Sequence, residues 1–295
     1  MDGIFARLIA LIPDLSPWQW LTASGTGIAS VFGGFKGAVW LREHLQSQYK
    51  IHTIRKTDHK LANEFCLLYY RLIDENHRID FSQIEMWIDT KGSNDANQEI
   101  KVCTYKNIVV GFCQFFYSKN YPYAFVSYLG VDSENPSVTS GVSGLLLKNI
   151  RAVLNKRFGN DYVVLFEVES PTEKGLDERE RARRIARIRH FTRLGKEKNR
   201  QVHQIRLNYV QPETPNESDL SNQHCMQLLV ASPRNEFDNN RIHIDSVLDW
   251  ISFIYYDIYL YSYHSDIELR EIYEESLTDL VKEIRKTSTK WISIN

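Results

Sequence analysis

The run at residues 123–147, YAFVSYLGVDSENPSVTSGVSGLLL, constrains the fold more than any other part of this chain. Apolar and polar residues alternate up to Asp132, the pattern of a strand with one buried face. A polar loop follows, and a helix opens at Gly141-Val142-Ser143-Gly144 with apolar residues behind it. A strand, a small-residue turn and a helix start in that order make an anion site. The first N–H groups of the helix lack partners within it, and the helix dipole adds to their pull. Turns of this kind are common, so the flanking segments decide what this one does.

Before it, residues 100–119 (IKVCTYKNIVVGFCQFFYSK) read as two strands joined at Lys106-Asn107. After it come a strand at 162–170 (YVVLFEVES), a charged helix ending in RIRHFTRLG, then NYVQPE and MQLLVASP. Upstream, Leu61, Phe65, Leu68 and Leu72 mark one face of a helix, and a second helix is expected at 81–88. The expected fold is α+β: a mixed, mostly antiparallel sheet flanked by helices. In order and spacing these segments resemble the GNAT N-acetyltransferase family over roughly residues 59–232. VVGF, YLGVD with the turn at Gly141, FEVESP, HFTRLG, and YVQP followed by MQLLV carry the resemblance.

That resemblance implies acetyl-CoA as cosubstrate and an amine acceptor, either a small molecule or a protein. It implies a sheet whose fourth and fifth strands splay to admit the pantetheine arm. The pyrophosphate would rest on Val138, Thr139, Ser140, Gly141, Val142, Ser143 and Gly144, with a backbone N–H near Leu129 to Val131 polarising the thioester carbonyl. Residues 76–81 would wall the acceptor site, and no metal or covalent enzyme intermediate is implied. Three positions depart from the family pattern. Val138 stands in place of an Arg or Gln, Ser143 in place of the second Gly or an Ala, and Thr192 where many members carry the Tyr that protonates the departing thiolate. These departures keep a second reading open: a GNAT-like module that binds an acyl-CoA or a partner protein without turnover.

The residues themselves single out Glu167. It lies inside a strand, where burial makes a charged carboxylate costly and raises its pKa, as a general base or acceptor ligand requires. A structural carboxylate tied to an Arg or a backbone donor would satisfy the same position. Tyr128 and Tyr209 are candidates for the missing acid and His190 for a base, each also readable as packing. Seven arginines fall between Arg179 and Arg193. A solvated face paired with Asp177, Glu178 and Glu180 accounts for them, and contact of one or two with the CoA phosphates is the sharper alternative. A formal net charge of -1 argues against a nucleic-acid partner. The four cysteines show no metal-ligand spacing.

Outside the domain, residues 1–48 form a hydrophobic segment with a candidate membrane helix at 17–41. Lys36 is its one formal charge, and Trp18, Trp20 and Trp40 bracket it. Arg42, Lys50, Arg55 and Lys56 lie on the domain side, which predicts membrane association with the domain in the cytoplasm. A cytoplasmic protein with this helix packed on protein is the alternative, and Gly33-x-x-x-Gly37 would then allow a homo-oligomer contact. Residues 49–58 read as a linker, and 241–295 as a helical pair whose aromatics, Tyr255 and Tyr259 among them, pack.

Overall fold

The computed structural model describes residues 48–294, apart from 56, 74–83, 87, 89–95, 136–140, 196–199, 208, 211–224, 234–236, 239, 262–266 and 288–289. The candidate membrane helix at 17–41 and the expected acceptor wall at 76–81 lie outside the described residues. Among the described residues no helix is long and apolar enough to cross a membrane.

Eight strands form one sheet in the order β1-β2-β3-β4-β5-β8-β6, with β7 also paired to β8. They are β1 (Tyr49–Thr53), β2 (Ala96–Tyr105), β3 (Ile108–Ser118), β4 (Tyr123–Val131), β5 (Val163–Glu169), β6 (Arg200–Gln204), β7 (Tyr209–Val210) and β8 (Cys225–Pro233). β4 and β5 run parallel, while the other pairs are antiparallel. The β2–β3 turn falls at Lys106-Asn107, whose φ angles of 49° and 65° are both positive, as a tight hairpin turn demands. One expectation is corrected here. Residues 49–58 are not simply a linker, because 49–53 pair with β2 from Tyr49↔Tyr105 to Thr53↔Lys101. An edge strand needs few apolar residues, so YKIHT carries little strand signal.

Two helices cover one face of the sheet: α2 (Val142–Phe158) and α3 (Glu178–Gly195). Their Leu146, Ile150, Leu154 and Phe191 pack on Val126, Val164, Phe166 and Val168. On the other face α1 (His59–Leu72) buries Phe65, Leu68 and Tyr69 against Val102 and Phe112. The rest of that face is covered by the C-terminal residues. These form β9 (Arg241–His243), α4 (Ile244–Ser252), a π-helical segment (Phe253–Leu260), α5 (Ile267–Thr287) and β10 (Trp291–Ser293), with β10 paired to β9. Trp250, Ile254, Ile258 and Leu277 meet Phe125, Val163, Leu165 and Leu228 in one core cluster. The C-terminal region is therefore part of the domain core, with each large apolar side chain contributing ~2 kcal/mol by leaving water.

Candidate functional site

Pairing between β4 and β5 runs from Tyr123↔Val163 to Val126↔Phe166 and stops there. Beyond that point β4 continues with β3 alone and β5 with β8 alone. The separation begins at a bulge. Tyr128 lies opposite Gln114 and Val126 opposite Phe115, so Ser127 is an extra residue in β4. A bulge bends its strand and sharpens the local twist, which here turns β4 away from β5. Among the described residues the side of 128–131 that faces β5 has no strand partner, and Leu129 and Val131 fall within it.

The helix start lies close to the same strand end. The Leu145 N–H donates to Gly141 O at 2.9 Å, while no side chain caps α2 and its first turn holds no acid. The N–H groups of Val142, Ser143 and Gly144 thus have no partner within the helix. Gly111 on β3 makes this seating feasible, since a Cβ there would come 2.8 Å from Val142 Cγ1 and 3.1 Å from Gly130 O. Ser143, which replaces a smaller residue of the family pattern, is buried, and its hydroxyl meets His190 Nε2 at 3.0 Å. Arg193 approaches Nδ1 of the same ring at 3.5 Å. Burial, and after it Arg193, lowers the His190 pKa, so the ring is a neutral tie between α2 and α3. Val138, Thr139 and Ser140 lie outside the described residues.

Glu167 stands one residue beyond the last β4–β5 pair. Its Oε1 accepts from the Tyr209 hydroxyl and its Oε2 from the Tyr259 hydroxyl. The side chain keeps a margin of solvent access but lies deep among tyrosines. Burial pushes its carboxyl up to about 7, against the two hydroxyl bonds, which favour the charged form. Burial first and Glu167 second push both tyrosine hydroxyls well above their ordinary value. Tyr128 is half-buried, sets its ring edge-on to Tyr69 at 5.3 Å, and lies within electrostatic reach of Tyr259.

Strand register puts several of these groups in one row on one face. Ile100 lies opposite Gln114, Gln114 opposite Tyr128, and, across the splay, Glu167 opposite Leu228. Glu167, Tyr209 and Tyr128 of the sequence candidates share this face. His190 is on the other side, at the start of α2. Sequence reasoning passed over Tyr259, treating it as packing. The signal for it is conformational: π-helical turns are rare and gather at functional sites, and this one turns Tyr259 toward the sheet.

The arginine-rich helix is held largely by acids. Asp177 Oδ1 accepts the Glu180 N–H at 2.7 Å, and Arg183 pairs with Glu180 at 2.8 Å. Arg184 is buried, donating to Ser170 O at 2.9 Å and pairing with Glu173, while Arg187 pairs with Glu169. The Thr192 hydroxyl donates to Ile188 O at 2.9 Å. Cys66, Cys103 and Cys113 are free and buried, and burial raises their thiol pKa values, so these three are packed side chains.

No protein-family model matches the sequence, and no curated protein matches it. Solved structures of similar shape do. A protein from Bacteroides thetaiotaomicron, assigned to the GNAT acetyltransferase family, is 15% identical over 71% of this chain and 99% of its own, with a TM-score of 0.46. Naa50 of Arabidopsis thaliana, in complex with a bisubstrate analogue, is 14% identical over 63% of this chain and 98% of its own, with a TM-score of 0.39. A GNAT family acetyltransferase from Elizabethkingia anophelis with acetyl-CoA bound is 13% identical over 63% and 98%, with a TM-score of 0.38. The fold is GNAT-like. Sheet order, the parallel β4–β5 step and the splay at Ser127 carry that statement, independently of these scores.

Proposed function

We propose that this chain is an acetyl-CoA-dependent N-acetyltransferase that binds and deprotonates its acceptor amine at Glu167. The observation that supports it most is the placement of a carboxylate with a pKa of about 7 one residue past the point where β4 and β5 part. The N–H groups of Val142, Ser143 and Gly144 suit a pyrophosphate. The open side of β4 suits the pantetheine arm, with an N–H near Leu129 to Val131 for the thioester oxygen. Glu167 takes a proton from the ammonium, and the freed lone pair forms the C–N bond at the thioester carbon. The C–S bond then breaks, and the thiolate is protonated by the Tyr128 phenol, the half-buried hydroxyl of the row. Tyr209 and Tyr259 hold the carboxylate in place. Their raised pKa values make them donors of hydrogen bonds rather than of protons.

A membrane location goes with this reading, with the domain on the cytoplasmic side. The support is from sequence alone: the tryptophans that bracket 17–41 and the basic residues that follow. One observation favours the rival module without turnover. The Thr192 hydroxyl is tied to its own helix and is not available as an acid. Calorimetry with CoA and acetyl-CoA, followed by thiol release over a panel of amines, decides between them. Acetyl transfer that falls about 10²-fold or more in Glu167→Gln, with CoA affinity kept, supports the enzyme. CoA binding with no thiol release from any amine supports the module.

A further inference from the structure

On the Glu167 face two hydrophobic clusters are separated by amides. One cluster lies under α1 and includes Ile100 and Phe112, and the other lies under the C-terminal helices and includes Ala96 and Phe116. Between Ala96 and Ile100 on β2 sits Gln98, and between Phe112 and Phe116 on β3 sits Gln114. Strand alternation puts both on this face, as diagonal neighbours across the β2–β3 pair, about 7 Å apart. Gln98 is 6% exposed and Gln114 1%. Among the described residues Gln98 Nε2, Gln98 Oε1 and Gln114 Nε2 are buried without a hydrogen-bond partner. A stranded buried amide costs about 1–3 kcal/mol per group, so two at one place call for an explanation.

We infer that Gln98 and Gln114 form a neutral recognition subsite for an amide group of the acceptor. The idea rests on the reading of Glu167 as the amine site and names the class of acceptor that site takes. Gln114 shares its row with Tyr128 and, beyond the splay, with Glu167. Two paired-strand spacings are about 10 Å, and the splay of β4 from β5 widens the second, so the backbones of Gln114 and Glu167 are at least that far apart. An amine and an amide one or two carbons apart span about 10 Å once a hydrogen bond of about 3 Å is added at each end, the remainder falling to the reach of the two long side chains. The unpaired set is two N–H₂ donors and one carbonyl acceptor, which complements a carbonyl oxygen beside an N–H. From these two amides a carboxylate would gain no counter-charge, and a second ammonium would find only one acceptor. The subsite therefore favours an amine that carries an amide over a free amino acid, a polyamine or a plain alkylamine.

The test uses glycinamide, glycine and propylamine, which differ only in the group that reaches the amides. Binding to the CoA-loaded full-length protein is read by saturation-transfer NMR, and transfer by thiol release. The variants are Gln114→Leu and Gln98→Leu, which remove the stranded groups and should be at least as thermally stable as the parent. Glycinamide should bind. Its kcat/KM relative to propylamine should fall at least about tenfold in Gln114→Leu, a ratio in which the amines' own basicities cancel. An unchanged ratio in the folded variant removes the subsite and leaves acetyl transfer standing. If no amine is acetylated, loss of glycinamide binding in Gln114→Leu keeps the subsite and removes the enzyme reading. A parent protein that does not bind glycinamide overturns the inference.

Discussion

Tyr259 reaches Glu167 from 92 residues further along the chain and donates its hydroxyl to Oε2, while Tyr209 donates to Oε1. Both bonds favour the charged carboxylate and oppose burial. Tyr259→Phe removes one of them, so the Glu167 pKa should rise further. The low-pH limb of kcat should move to higher pH, and turnover at neutral pH should fall several-fold, with CoA affinity unchanged by calorimetry. A pH profile that superimposes on the parent's would show that Tyr259 only packs.

Glu167 also ties stability to pH. Below about 4.5, its ordinary value, the carboxyl is protonated whether the chain is folded or not. Between about 4.5 and 7 the unfolded chain ionises it and the folded chain does not, so the unfolded state holds fewer protons. Stability then falls as pH rises through that window, by ~3 kcal/mol in all, and is level above it. Activity should run the other way and rise through about pH 7, because the base must be ionised. In urea denaturation Glu167→Gln should lack this decline and be the more stable protein at pH 8. Equal slopes for the two proteins would mean that Glu167 is ionised throughout.

Gly141→Glu puts a side chain and a negative charge at the start of α2, facing its unpartnered N–H groups. CoA binding should drop below detection by calorimetry while the circular dichroism spectrum stays that of the parent. Unchanged affinity would move the phosphate site elsewhere.

Trp250 is 1% exposed in the core beneath the C-terminal helices. Trp250→Ala should cost ~3–5 kcal/mol in chemical denaturation. It should also lower turnover more than CoA affinity, since the π-helical segment bearing Tyr259 begins three residues on. A loss below ~1 kcal/mol would mean that the C-terminal region folds as a separate unit.

The segment at 17–41 predicts location. Full-length protein should stay in the membrane pellet through carbonate and high salt, whereas a chain that begins at Gln48 should not. High salt would release protein held only by basic residues, because such contacts are screened over ~10 Å at 0.1 M. Full-length protein in the supernatant without detergent would remove the anchor.

Central strands were legible in the sequence because both faces are covered and their apolar residues recur in VVLFEV or VVGFCQFF. Both edge strands were missed for one reason. β1 and β6 each have a neighbour on one side only, and YKIHT and RQVHQ look like loop. Glu167 stood out because a carboxylate inside a strand is costly. Tyr259 could not, since the tyrosine lies in a run of aromatics that fits a buried helix equally well. What marks it is a hydrogen bond to a residue far away in sequence. Gln98 and Gln114 were silent as well: an isolated glutamine in a strand is unremarkable until its amide is known to be buried without a hydrogen-bond partner.

The union of β5 with the π-helical segment has a bearing on how the protein comes into being. On the ribosome the β-strands and the helix start at Gly141 emerge first, and a chain paused there would already have the phosphate turn. It would lack Tyr259 and the apolar roof over the Glu167 face until residues 244–287 had left the exit tunnel. The carboxylate is thus steadied only after a long downstream stretch has folded, and a nick in the polar stretch before β9 would separate it from the residue that steadies it.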